Sequence, residues 1–206
     1  METMVSSEDA LFRLQEGNKR FLRGGHSLTA LDLEKMRGEL ASGQHPFAVV
    51  IACSDSRVPP SLIFDQDLGN LFVIRVAGNV VGPSQVASVE YAVEVLKSSL
   101  VVVVGHTGCG AISAAVKAML DPDVHYSPSM DMLVGRISEA VEHHDTFEAA
   151  GTVEEKCEIA GQANVVHALE NLVKFSDIIR SAVQEDRVKL VGSEYDMRTG
   201  IVHWMD

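Results

Sequence analysis

A thiol, a carboxylate and a guanidinium stand two residues apart in Cys53-Ser-Asp55-Ser-Arg57, directly after the apolar run 47–52. A second apolar run, 100–104, ends in the same manner, in Gly105-His106-Thr-Gly-Cys109-Gly110. Together the two stretches offer Cys53, Asp55, His106 and Cys109, and four ligands are what a tetrahedral zinc site takes. Thiolate and imidazole suit zinc far better than magnesium or calcium. Three protein ligands plus water make a catalytic zinc, whereas four make a closed site. Asp55 can serve either arrangement, because the Arg57 fork can hold its carboxylate through two charge-assisted bonds. Gly105 and Gly108 let the backbone bend close to an ion.

These side chains meet only if the two apolar runs lie side by side. Runs 47–52, 71–76 and 100–104 read as strands, and 84–97 and 110–120 carry a helical period. The order strand, strand, helix, strand, helix argues for an α/β fold with a mostly parallel central sheet and helices on its faces. In such sheets ligands sit beyond the carboxyl ends of the strands, where both chemical stretches fall. Residues 187–195 and 201–204 read as strands joined by a turn at 198–200, adding an antiparallel edge strand. Upstream, an amphipathic helix from Ser7 to Gly24-Gly25, with Leu11, Leu14 and Phe21 apolar, and a second helix over 31–42 make an N-terminal helical arm. Residues 61–64 read as a turn after Pro59-Pro60 and 77–79 as a loop. Segment 127–148 reads as one helix, and 152–185 as helix with a break near Ser176-Asp177. The expectation is a single domain over 1–206, with the arm at 1–43 and the α/β zinc core at 44–206.

Bulk properties narrow the function classes. The chain has 206 residues, 46% of them hydrophobic, enough to bury a core. A net charge of -12 argues against a nucleic-acid partner, which would require basic patches. No apolar run approaches the roughly 18 residues that span a bilayer, so no membrane partner is expected. The N-terminus lacks the basic start and apolar core of a secretory signal. Three cysteines are too few, and odd in number, for a disulfide framework. Thiolate ligands suit a reducing compartment, so a cytoplasmic location is expected. Cys157 lies in a charged helical segment and reads as a free thiol, and His143-His144 as a solvated helix face.

The stretches Cys53-Ser-Asp-Ser-Arg-Val58 and His106-Thr-Gly-Cys-Gly110 resemble those of the β-class carbonic anhydrases, in the plant-type pattern. The segments Glu16-Gly-Asn-Lys-Arg-Phe21, Gly69-Asn-Leu-Phe-Val-Ile-Arg-Val-Ala-Gly-Asn79 and Glu90-Tyr-Ala92 extend the resemblance over nearly the whole chain. It implies one zinc ion per chain on Cys53, His106 and Cys109, and reversible hydration of carbon dioxide to bicarbonate and a proton by zinc-bound hydroxide. It implies catalytic roles for Asp55 and Arg57. In an open state Arg57 holds Asp55 off the metal, and in a closed state Asp55 becomes the fourth ligand. It further implies that Gln44 hydrogen-bonds substrate, that Phe72, Ala77 and Tyr91 wall an apolar pocket, and that Gly78 and Gly110 adjoin it. Asn70 and Val76 depart from residues frequent in the family's loop. Some members carry a second, inhibitory bicarbonate site made of a tryptophan, an arginine and a tyrosine. Arg75 and Tyr195 match two of these positions, but Val50 stands at the third, so that site is expected to be absent or weak and the open state to dominate at neutral pH. The resemblance also implies a homodimer or homotetramer, with the first helix, bearing Phe12 and Phe21, wrapped on a neighbour and with Gln44 and Tyr91 reaching the site across that interface.

Two alternatives stay open at the level of sequence. The same scaffold can hydrolyse carbonyl sulfide or carbon disulfide. A regulatory protein could use a zinc site permanently closed by Asp55, although the presence of Arg57 argues against this.

Overall fold

The computed structural model describes residues 5–25, 30–142 and 145–205. One sheet contains β1 (Ala48–Ala52), β2 (Leu71–Arg75), β3 (Leu100–His106), β4 (Lys189–Tyr195) and β5 (Val202–Trp204), in the order β2-β1-β3-β4-β5. The first four strands are parallel and β5 is antiparallel to β4. Valine and isoleucine dominate β1 and β3, and every residue of both strands is buried. That is what a strand covered by helices on both faces requires.

Alternate residues of these strands feed two cores, as the two-residue period of a strand dictates. Val50, Ala52, Leu100, Val102 and Val104 pack with Ala10 and Leu14 of α1 (Ser7–Leu22) and with Ile63 of α3 (Pro60–Ile63) on one face. Val49, Ile51, Val101 and Val103 pack on the other against α4 (Pro83–Glu94), α8 (Val153–Phe175) and α9 (Asp177–Gln184). A third cluster joins Cys53, Cys109 and Ile112 of α5 (Gly110–Leu120) to Val134 and Ile137 of α6 (Pro128–Glu139) and Phe147 of α7 (Asp145–Ala149). The remaining helix, α2, spans Ala30–Leu40.

Helix α1 is fastened to its own chain. Buried Asn18 donates to the carbonyls of Ile63 and Gly200, at 3.0 and 2.9 Å, and its Oδ1 accepts from Val202 N at 3.0 Å. Leu14 is fully buried, Leu11 and Phe21 are partly buried, and Phe12 remains 61% exposed.

The structure departs from the sequence reading at several boundaries. Strand β3 continues through Gly105 to His106, because β4 pairs with it to the Tyr195 register. Helix α4 stops at Glu94 rather than Lys97: Ser98 N turns back to Ala92 O, and Lys97 takes a φ of 59°. Segment 127–148 is divided. Helix α6 ends at Glu139, where the amides of Ala140 and Val141 tighten onto the carbonyls of Ile137 and Ser138, and α7 begins at Asp145. His143-His144 lies outside the described residues. Pro60 starts a single helical turn, since proline suits the first helical position. Residues 77–79 form a 3-10 turn.

Candidate metal centre

Strands β1 and β3 are adjacent, parallel and in register, Ala52 opposite Val104. The residues that follow therefore emerge at one edge of the sheet. Cys53 leaves the end of β1, His106 closes β3, and Cys109 is the N-cap of α5. Their ligand atoms all lie within 4.8 Å of one another, and all three residues are buried. The two sulfurs are 3.9 Å apart. Two sulfurs on one tetrahedral zinc, each bonded at about 2.3 Å, stand about 3.8 Å apart.

The histidine is prepared to bind through one nitrogen. Its Nδ1 lies 3.0 Å from Thr107 O, a contact that places the proton there, and its buried Nε2 makes no hydrogen bond of good geometry among the described residues. A buried nitrogen without a partner is costly, and a cation between it and two sulfurs resolves that cost. A backbone carbonyl on the remote nitrogen is also the usual way a metal-binding imidazole is oriented. The donor set therefore fits zinc.

The sulfurs are electrostatically primed. The Cys109 thiol donates toward Cys53, and His106 with the amides of Asp55 and Gly78 adds to this, drawing the Cys53 pKa down to about 4 against the opposing effect of burial. Those amide contacts are both 3.4 Å. The Cys53 thiolate in turn, together with burial, pushes Cys109 up, although the first amides of α5 oppose this. A divalent cation between the two sulfurs would displace the protons they carry. Burial disfavours charge on His106, but the Cys53 sulfur and the Thr107 carbonyl outweigh it and raise its pKa.

Asp55 and Arg57 form a clamp beside this cluster. Arg57 Nε and Nη2 donate to Oδ1 and Oδ2 of Asp55 at 2.9 and 2.8 Å, and Arg57 N adds a bond of 3.0 Å to Oδ1. The Asp55 side chain is 19% exposed and that of Arg57 61%. The guanidinium holds the carboxyl well below the usual carboxylate range. Arg75 on β2 stabilises the turn itself, donating through Nε to Cys53 O at 3.1 Å and through Nη2 to Asp55 O. Gly78, adjacent to Ala77, contributes its amide to Cys53, and Gly110 opens α5 next to Cys109.

Gln44, Phe72 and Tyr91 are not brought to the cluster within one chain. Gln44 precedes β1, at the opposite edge of the sheet from Cys53. Phe72 pairs with Val49, four residues before Cys53, roughly 13 Å along a strand. The Tyr91 ring packs on Phe72 at 6.1 Å and is 48% exposed. One polar contact beside the cluster escaped the sequence reading altogether. Asn164 of α8, 2% exposed, donates to Gly78 O at 2.8 Å. Its signal is an asparagine within the buried stripe Ala160, Asn164, Ala168, Leu172, since a polar group there must find a partner.

The family described as carbonic anhydrase matches residues 48–202. Carbonic anhydrase 2 of Mycobacterium tuberculosis is 35% identical over 195 residues, covering 91% of this chain and 87% of that one. Carbonic anhydrase of Pseudomonas aeruginosa is 38% identical over 183 residues, covering 81% and 76%. Among solved structures, the β-carbonic anhydrase CafA of Aspergillus fumigatus superposes with a TM-score of 0.77 at 29% identity, covering 86% of this chain and 83% of that one. A tetrameric β-carbonic anhydrase of Sordaria macrospora gives 0.74 at 28%, covering 84% and 86%. A Cys-His-Cys cluster at the ends of neighbouring parallel strands, on a sheet shared with these proteins, leaves one assignment: the chain belongs to the β-class carbonic anhydrases, the carbonate dehydratases of this fold.

Proposed function

We propose that the chain hydrates carbon dioxide reversibly with one zinc ion per chain, held by Cys53, His106 and Cys109, in a site that Arg57 keeps open. The observation that carries this reading is the meeting of three donors beside a carboxylate already gripped by an arginine. When bound, zinc lowers the pKa of a coordinated water to about 7 and so supplies a nucleophile near neutral pH.

The protein's own groups do the rest. Thr107 O fixes the imidazole so that Nε2 faces the sulfurs. The amides of Asp55 and Gly78 spread the charge of the Cys53 sulfur. Asp55, kept ionised by Arg57, has carboxylate lone pairs left to accept a hydrogen bond from the attacking water and so to aim it. Ala77, Gly78 and Gly110 put no polar or charged side chain beside the cluster, which suits carbon dioxide, a ligand that offers little to a hydrogen-bond donor. Gln44, Phe72 and Tyr91 are delivered by a second copy of the chain, so the functional unit is a homodimer or a homotetramer built from it. Free thiols in the site favour a reducing, cytoplasmic setting. Nε and Nη2 of Arg75 are engaged by the Cys53 and Asp55 carbonyls, and Val50 is fully buried, which supports an absent or weak inhibitory bicarbonate site. The grip of Arg57 on Asp55 counts against a permanently closed site.

The test is zinc content together with stopped-flow hydration of carbon dioxide, for wild type and Asp55→Asn. One zinc per chain is expected in both. The variant loses roughly 100-fold or more in turnover, the scale of one preorganised hydrogen bond at the reacting group. A fully active Asp55→Asn would remove Asp55 from the mechanism. Carbonyl sulfide and carbon disulfide run in parallel would expose a different substrate preference.

A further inference from the structure

We infer that Asn164 is a positioning residue for the metal site, acting through Gly78 on the sulfur of Cys53. The inference rests on the zinc reading above and adds to it a residue far from the metal motifs in sequence. The path has two bonds. Asn164 Nδ2 donates to Gly78 O at 2.8 Å, and Gly78 N donates to Cys53 Sγ at 3.4 Å.

Gly78 is the weak joint in that path. It sits at a φ of 66°, inside a turn whose next residue, Asn79, also takes a positive φ, of 44°. Glycine has little torsional preference of its own, so the conformation must be imposed from outside. A Cβ at this position would lie 2.9 Å from Ile137 Cδ1 and 3.1 Å from Ala111 Cβ, which keeps the residue a glycine. Asn164 anchors the carbonyl side of Gly78, and the Cys53 sulfur holds the amide side. Releasing the carbonyl frees the Gly78–Asn79 peptide plane, and with that plane loose φ of Gly78, which sets the direction of the N–H, is no longer held from the carbonyl side.

The rest of α8 shows that Asn164 is built for this role. Val165, the next residue, packs on Gly105, immediately before His106: a Cβ there would lie 2.7 Å from Val165 Cγ2. One turn of α8 therefore meets both arms of the site, the Cys53 arm by a hydrogen bond and the His106 arm by contact. Both Asn164 and Gly78 are buried, so water cannot replace the amide without entering the core.

An N–H bonded to a metal-bound thiolate lowers the energy of the sulfur lone pairs. Losing it raises them and moves sulfur-to-metal charge transfer to longer wavelength. The probe is cobalt(II) substituted for zinc, with the near-ultraviolet sulfur-to-cobalt band as readout, alongside zinc affinity by chelator competition. Asn164→Leu keeps the branched side chain and its heavy-atom count and removes the donor. Asn164→Ala serves if the leucine variant does not fold. Leu172→Ala, two turns along the same buried stripe, is the control for general loosening of α8. The expected result is a red-shifted cobalt band and roughly tenfold weaker zinc binding in the Asn164 variants, the scale of lost outer-sphere support. Leu172→Ala should lower the melting temperature while leaving the band in place. An unmoved band with wild-type zinc affinity in the Asn164 variants overturns the inference, as does an equal shift in Leu172→Ala. A wild-type protein with no sulfur-to-cobalt band would instead overturn the metal reading.

Discussion

The contact between Gly105 and Val165 offers a sharp test of how α8 seats the histidine arm. Gly105→Ala would place a methyl 2.7 Å from Val165 Cγ2, whereas carbon atoms in favourable contact stand about 3.5–4.0 Å apart. Something must give by nearly 1 Å. Val165 is fully buried and β-branched on a helix, so its side chain has essentially one rotamer and cannot turn away. The backbone has to move instead, and the backbone at position 105 is the end of β3, which carries His106. Overpacking of this kind costs about 1–3 kcal/mol. For a chain of this size that lowers the melting temperature by roughly 2–12 °C.

Relief should come from Val165→Ala. Alone, it removes two methyls from the core, for about 2 kcal/mol of lost burial and residual cavity. In the double variant the new methyl at position 105 enters the space left by Cγ2, where its next neighbours, Ser193 O and Gly161 O, are at ordinary distances of 3.7 and 3.8 Å. The double variant should therefore be no less stable than Val165→Ala, instead of carrying the sum of the two costs. The coupling is read from guanidinium unfolding of the four zinc-loaded proteins, and zinc affinity is read by chelator competition. Gly105→Ala should weaken zinc binding, and the double variant should recover it. If the two substitutions add within about 0.5 kcal/mol, as independent sites do, the proposed wedge does not exist.

Three further outcomes follow from the geometry. Burial raises the Glu194 carboxyl above its ordinary range, against an opposing bond from Gln162. Its contribution to stability is therefore complete below the unfolded value of about 4.3 and declines as pH rises through the folded one. Glu194→Gln should gain melting temperature relative to wild type at pH 8 compared with pH 4.5, and a pH-independent difference would contradict the burial argument. Stripping zinc with a chelator should lower the melting temperature and returning zinc should restore it, because an ion bound only by the folded chain stabilises that state. Unchanged thermal unfolding would mean that Cys53, His106 and Cys109 hold no ion. Finally, if Gln44 serves the site of a second copy, Gln44→Ala and Asp55→Asn should each be nearly inactive, and mixing them under exchange conditions should restore part of the rate. Absence of recovery in proven mixed oligomers would place Gln44 outside the reaction.

How much of this was readable in the sequence depends on how far each interaction travels along the chain. The strands were legible because short unbroken runs of β-branched valine and isoleucine, bounded by turn residues, favour buried strands. Their parallel order was legible because helices separate them. Boundaries were less so. Nothing in Gly105-His106 announces that β3 continues, since the cause is Tyr195, almost ninety positions on, pairing with His106. The division of 127–148 likewise comes from carbonyls recaptured at the end of α6, a local event that an averaged period does not register.

The site divides along the same line. Cys53, Asp55 and Arg57 declare themselves by two-residue spacing, and His106 and Cys109 by the loop that joins a strand to a helix. Each group needs only its own neighbours to be recognised. Asn164 does not, because its meaning depends on a carbonyl 86 positions away. Gln44, Phe72 and Tyr91 lie further still from what one chain can explain. They gather at the far end of the sheet, and an exposed tyrosine stacked on a strand phenylalanine has no catalytic meaning there. If they act in the reaction, their partner is the metal cluster of another copy. Association would then be a condition of catalysis, and activity should fall on dilution even while each chain keeps its zinc.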